Sequence, residues 1–170
     1  MSLNHKSDII DVVNLYALAV DTQRFELFER IFTADAQADF GPGIHWRDRA
    51  SLQRDFAFIH APFQSTQHVT TNHVVNVQSD GAHCASYVHG RFVRDLPDGN
   101  MFESSGWYDD RLVLTDVGWR IAHRTCRMTW WGGNPKVLEK KEGAKVERTL
   151  NSLREEAEGN RIAFLRSLAR

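Results

Sequence analysis

Cysteine is scarce in this 170-residue chain: Cys84 and Cys126 are the two, without CxxC spacing. Neither a disulfide-stapled scaffold nor a zinc ribbon fits that pattern, and both read as reduced, buried side chains of a cytoplasmic protein. A long apolar run and a basic-then-apolar leader are also missing, which predicts a soluble chain with no membrane span and no secretory signal. Neither sign of charge dominates. The formal net charge of −1 gives no electrostatic reason to expect nucleic acid or an acidic membrane surface as the main partner. No GxGxxG fingerprint, Walker loop or Gly-x-Ser-x-Gly elbow occurs, so the usual marks of dinucleotide binding, nucleotide hydrolysis and serine-hydrolase chemistry are absent. Internal repeats and low-complexity tracts are lacking too. The histidines show no metal-ligand spacing: strand alternation predicts His73 on the face opposite His68, and His83 and His89 share a face only with Ala85 and Tyr87. No metal and no nucleotide cofactor is expected.

What remains is a globular composition, 42% hydrophobic and 25% charged, long enough for one domain with a sizeable core. Trp46, Trp107, Trp119, Trp130 and Trp131, with ten phenylalanines, predict a large apolar interior, a pocket wall, or both. The first third is helical in pattern. Ile9, Val13, Tyr16 and Val20 recur at helical spacing, Phe25 to Phe32 continues as a second short helix, and Arg49 to Ile59 reads as a third. Ala36 to Phe40 is a short strand ended by Gly41-Pro42-Gly43. From Ser65 the character changes. The runs 67–78, 82–94, 101–114 and 119–131 are rich in β-branched and aromatic residues, and Asp-Gly falls in two of the breaks, which predicts a strongly curved antiparallel meander. Helices first and strands afterwards imply α+β. We expect a domain over residues 1–134 and a charged helical extension over 135–170. In that extension Leu150, Leu153 and Ala157 share one helical face, and Ile162, Leu165 and Leu168 share another. It either docks on its own domain or covers a neighbouring subunit.

Asp21 and His68 stand in settings that suggest one acid–base device. Asp21 closes an unusually apolar helix, where a carboxylate is costly unless it has a partner or a task. His68 opens a strand, on a face shared with Thr70, Asn72 and Val74. A paired carboxylate would orient the imidazole and raise its basicity, and imidazole proton transfer is the chemistry left once the missing motifs are set aside. The plainer alternatives are Asp21 as N-cap of the second helix and His68 as an ordinary strand residue.

Several stretches together carry a family resemblance: Tyr16-Ala17-Leu18-Ala19-Val20-Asp21, Arg30-Ile31-Phe32-Thr33-Ala34-Asp35-Ala36, Thr66-Gln67-His68-Val69-Thr70-Thr71-Asn72, Gly106-Trp107-Tyr108-Asp109-Asp110, and Gly118-Trp119-Arg120-Ile121-Ala122-His123-Arg124. In order and spacing they resemble the SnoaL-like branch of the nuclear transport factor 2-like superfamily over residues 5–134. The resemblance implies a cone-shaped, cystatin-like α+β barrel, with N-terminal helices packed on a strongly curved, mostly antiparallel sheet. It is similar within that superfamily to scytalone dehydratase, bile-acid 7α-dehydratase and hexachlorocyclohexane dehydrochlorinase, in which an Asp–His pair drives elimination without metal or organic cofactor. By position it implies Asp21 as the aspartate that holds the histidine, His68 as the base and Tyr16 as a catalytic cavity tyrosine. Phe40, Trp46, Asn72, Tyr108 and, more loosely, Arg127 are the expected substrate-binding residues. Phe40 stands where the dehydratases carry a second tyrosine, so the hydroxyl that would polarise a carbonyl there is missing. The expected activity is a cofactor-independent lyase acting on an apolar, aromatic or polycyclic small molecule. An isomerase or polyketide-cyclase-like enzyme with the same dyad is an alternative, as is a non-catalytic subunit resembling the dioxygenase small subunit. A homo-oligomer, trimer or dimer, is expected from an apolar convex sheet face supplied by strands containing Val69, Val75, Val77, Phe92, Val93, Leu112 and Val113.

Overall fold

The computed structural model describes residues 4–139 and 149–168. Helix α1 spans His5–Asp21, with the Asn4 side chain accepting the Ser7 amide at its start. Its apolar stripe buries Ile9, Val13, Tyr16, Ala19 and Val20, whereas Leu18 points to solvent. The helix stops where Gln23 takes a left-handed φ of 53° and the Arg24 amide bonds back to the Ala19 carbonyl. A 3-10 turn at Phe25–Leu27 leads into the one-turn helix α2, Phe28–Ile31. Strand β1 then runs Phe32–Asp39, four residues earlier than the apolar pattern predicts, because its start pairs with a strand from the far end of the domain, Phe32 with Ile121. That pairing is invisible to local periodicity. A two-residue strand β2, His45–Trp46, precedes α3, Arg49–His60, whose N-cap Asp48 accepts the Ser51 amide at 2.7 Å.

The long strands are β3 Ser65–Gln78, β4 Gly81–Val93, β5 Met101–Thr115 and β6 Gly118–Gly133. They form one curled sheet in the order β2-β1-β6-β5-β4-β3, antiparallel except for β1 against β6. This is the α+β architecture expected. Even-numbered residues of β4 and β5 (Ala82, Cys84, Ser86, Val88, Tyr108, Asp110, Leu112) face the helices and are buried. They close on Ile9, Val13, Phe28, Phe32, Leu52, Phe56 and Ile121 to make the main core. Each such Leu, Ile or Phe contributes about 1.5–3 kcal/mol by leaving water, before the entropy of ordering it is counted.

Two expectations about faces need correction. Residues of β3 alternate regularly from Thr66 to Thr70, but Asn72 adopts a left-handed φ of 54° and the β3–β4 register shifts between Thr71 and Val74. This bulge returns His73 to the inner side, two residues from Val75, which packs on the core, so His68 and His73 share a face. Val74, expected beside His68, is 53% exposed on the outside. Of the apolar residues expected to make the outer face sticky, Val75, Phe92 and Leu112 instead turn inward, while Val69 stays outside, 46% exposed.

A 3-10 turn at Pro135–Leu138 buries Val137 in a second apolar cluster with Phe63 and Phe102, against which Phe92 and Trp131 pack. The extension docks on its own domain. The Asn151 amide bonds to the Met128 carbonyl, and two short helices follow, α4 Leu153–Glu158 and α5 Ala163–Ser167. Asp109, pointing outward from β5, accepts the Ala163 and Phe164 amides, and Asn76 and Gln78 donate to the Ser167 carbonyl. The apolar anchors are Ile162 and Phe164, whereas Leu165 and Leu168, expected on the docking face, are exposed.

Candidate functional site

Where α1 ends beside the first residues of β3, the Asp21 carboxylate gathers three donors. The His68 ring nitrogen Nδ1 lies 2.7 Å from Oδ1, the His68 amide 2.7 Å from Oδ2, and the Thr66 hydroxyl 2.9 Å from Oδ1. Backbone and side chain of His68 are therefore both pinned by one carboxylate, which rules out Asp21 as a mere cap of the following helix. Burial works to raise the Asp21 pKa, but the bonds from the His68 ring, its amide and Thr66 outweigh it and hold the carboxyl below its ordinary value. An ionised carboxylate can only accept, so Nδ1 carries a proton, and in the neutral ring it is Nε2 that keeps the lone pair. The His68 side chain is 8% exposed, and Nε2 has no hydrogen-bond partner among the described residues.

Aromatic rings wall this nitrogen. Phe92 stands perpendicular to the His68 ring at 5.3 Å, Phe63 lies 5.3 Å from Phe92, and His60 lies 5.6 Å from Phe63. Gly90, opposite His68 on β4, leaves the space open: a Cβ there would sit 3.3 Å from Nε2 and 3.1 Å from Phe92. His60 itself is buried, with Nδ1 2.9 Å from the Phe56 carbonyl. Burial pushes its imidazole down to about 4, so it stays neutral at physiological pH. Phe40 and Trp46 continue the wall along α3, each packed on Phe56, with the Trp46 indole donating to Asp55.

Tyr16 lies one and a half turns before Asp21 but engages a different centre. Its ring and that of Tyr108, perpendicular to one another with centroids 5.8 Å apart, form a corner that holds the Arg124 guanidinium at 4.2 and 4.0 Å from the ring centroids. Arg124 in turn makes a bidentate pair with Asp110 at 2.8 and 2.7 Å, both side chains fully buried. Burial drives the Tyr16 and Tyr108 phenols well above their ordinary pKa, with Arg124 acting against it, so both remain protonated donors. Among the described residues no hydrogen bond or ring contact links Tyr16 to His68.

Two expected substrate contacts are misplaced. Asn72 is exposed at the bulge. Arg127 sits on the outer face, opposite Trp107 in the strand register, and pairs with Asp39 at 2.9 Å. The inward arginine is Arg124, three residues earlier, because β6 has its own register shift opposite Arg111 and Leu112. Sequence reading passed over Arg124, Asp110, His60, Phe63 and Phe92. For Asp110 the usable signal was parity, since it sits two residues from the buried Tyr108 and Leu112 on β5; Arg124 breaks the parity of Trp119 and Ile121, so β6 alone carried no such signal. A concavity of about 550 Å³ lies on the outer face of the sheet, lined in part by Tyr87, His89, Arg91, Trp107, Trp130 and Leu153, and is separate from the dyad. Cys84 and Cys126 are both free, and burial pushes each thiol up to about 12, which leaves them unreactive at neutral pH.

With the dyad in place, the relatives can be weighed. The model of the SnoaL-like domain matches residues 1–125. The chain belongs to the SnoaL-like domain family. An uncharacterized protein of Mycobacterium tuberculosis is 29% identical over 129 residues, covering 73% of this chain and 87% of the relative. Among solved structures, a candidate scytalone dehydratase from Novosphingobium aromaticivorans is 21% identical at a TM-score of 0.68, over 75% of this chain and 86% of that one. A hexachlorocyclohexane dehydrochlorinase, LinA type 2, is 18% identical at a TM-score of 0.66, over 81% and 94%. At these identities the structural matches establish the fold, which is that of the nuclear transport factor 2-like superfamily.

Proposed function

We propose that this SnoaL-like chain is a cofactor-independent lyase, a dehydratase or related elimination enzyme, for which His68 Nε2 is the general base. The observation that carries the reading is the Asp21 carboxylate on His68 Nδ1, which leaves a bare, oriented nitrogen against aromatic walls. Such a nitrogen can take a proton from carbon next to a carbonyl or an electron-rich ring, and Asp21 stabilises the imidazolium that forms. Positioned general bases are typically worth about 10²–10⁴-fold in rate. The leaving group then departs with its electron pair, and the imidazolium or a bound water returns a proton to it. Phe63, Phe92 and Gly90 favour a flat apolar substrate, in keeping with the names of two structural relatives, a dehydratase and a dehydrochlorinase. An isomerase shares the first half of this reaction and differs in returning the proton to another carbon. The intact dyad speaks for chemistry over a purely structural subunit.

The first half-reaction can be read without knowing the substrate. Cyclic aryl ketones such as 1-indanone and 2-tetralone, incubated with the protein in D₂O, should take up deuterium beside the carbonyl, followed by NMR. His68→Gln should slow uptake by about 10²-fold or more, and Asp21→Asn should slow it less, with both variants folded by circular dichroism. Unchanged uptake in His68→Gln would remove the base from the reading. Release of water or halide from hydroxylated or halogenated analogues separates elimination from isomerisation.

A further inference from the structure

His60 is unused by the reaction above, yet it stands at the far end of the run of rings that begins at His68. We infer that His60 Nε2 is a second hydrogen-bond acceptor of the site and selects substrates that present a neutral hydroxyl group. The inference rests on the placement of the reactive centre at His68.

The tautomer of His60 is fixed by its neighbour. A backbone carbonyl can only accept, so the 2.9 Å contact with the Phe56 oxygen places the proton on Nδ1 and leaves Nε2 bare. No described residue donates to that nitrogen. Its position is held from two sides. The Gln23 side chain, two residues beyond Asp21, donates to the His60 carbonyl at 3.1 Å, and the ring stacks on Phe56 at 5.1 Å. The ring sequence His60, Phe63, Phe92, His68, with successive centroids 5.6, 5.3 and 5.3 Å apart, makes the two imidazoles the polar ends of one aromatic wall. The Asp21 carboxylate favours a proton on His60, and a proton gained by His68 opposes one, so the two rings lie within electrostatic reach of each other.

The field at this wall decides the ligand. Two ring nitrogens with lone pairs and one carboxylate attract an O–H donor and repel a carboxylate or phosphate. Two arginines of β6 are committed elsewhere: Arg124 is buried on Asp110, and Arg127 pairs with Asp39 across the sheet. A neutral His60 is also what the chemistry needs. When His68 gains a proton, a charged neighbour would oppose it, and burial keeps His60 uncharged.

The test uses three probes of one shape on the full chain with ¹⁵N-labelled histidine: p-cresol, which donates; 4-methylanisole, which does not; and p-toluate, which is anionic. We expect p-cresol to bind about 10-fold or more tightly than either of the others and to shift the His60 Nε2 resonance, with His60→Phe losing the preference. A buried variant can fail to fold, so the wild-type comparison and the Nε2 shift decide alone if it does. Equal affinity for p-cresol and 4-methylanisole, tighter binding of p-toluate, an unmoved Nε2 resonance, or no binding by any probe at millimolar concentration each overturns the inference. Deuterium uptake that depends on His68 while p-cresol and 4-methylanisole bind equally would remove only the role of His60. Uptake indifferent to His68 with the hydroxyl preference intact would remove only the base.

Discussion

Arg124 and His60 show how much a single buried polar group costs and what it must find in return. An arginine with no exposed surface is tolerable only because Asp110 takes it in a fork and two tyrosine rings, at right angles to each other, pack against it. Asp110→Asn leaves that guanidinium uncompensated and should cost about 3–5 kcal/mol in urea unfolding. Replacing both partners, Asp110→Leu with Arg124→Met, should recover most of the loss; a double variant as unstable as the single would contradict this account. His60 contributes a pH dependence instead. The folded protein resists protonating it until about pH 4, whereas an unfolded chain takes the proton near 6.5. The unfolded state binds more protons between those values, so stability from neutral His60 is complete above 6.5 and falls as pH drops toward 4, by roughly 3 kcal/mol. Asp21 acts lower still. Its depressed pKa gives stability that is present above its ordinary value of 3.8 and is lost as pH falls through the folded value. Denaturation midpoints at a series of pH values should therefore show a steep limb from 6.5 to 4 in the parent chain, flattened in His60→Gln; an unchanged limb would mean that His60 is not the group responsible.

At the scale of elements, the breaks in the meander were legible because Asp-Gly and Gly residues at positive φ mark them: Gly81, Gly99 and Gly118 all adopt such angles. The Asp21–His68 meeting was legible from the family pattern and from the oddity of a carboxylate closing an apolar helix. Arg127 was misread because a loose positional match to the family does not fix the face a strand residue takes, and facing depends on bulges and cross-strand register, which a single strand does not reveal. Asn72 is the clearest instance, since its left-handed backbone reverses the parity of everything after it on β3. A β-branched residue pays about 1–2 kcal/mol in that conformation. Asn72→Val should therefore lower stability by about that amount, while Asn72→Gly should be close to neutral. If both variants melt with the parent, the bulge does not persist in solution.

The whole molecule divides its sheet between two tasks. The inner face holds the core and the dyad. The outer face is partly covered by the extension, through Asp109 and the buried Ile162 and Phe164. The extension reaches β3, the last strand of the sheet, at Asn76 and Gln78, but leaves Val69 and Val74 exposed at 46% and 53%, with Tyr87 at 46% on β4 and Trp130 at 44% on β6. The inward turn of Val75, Phe92 and Leu112 makes this patch smaller than the sequence implied. These exposed apolar side chains still lie on or near β3, the last strand of the sheet, and a sheet edge flanked by apolar side chains favours pairing with another chain. A second copy of this protein satisfies both features at once, through an isologous contact. Sedimentation at micromolar concentration should find a closed homo-oligomer, and Val69→Lys with Val74→Lys should shift it to monomer without lowering the melting temperature, since both side chains point to solvent. A parent chain that is monomeric at every concentration, or an oligomer indifferent to the two lysines, would place the contact elsewhere or nowhere on this face.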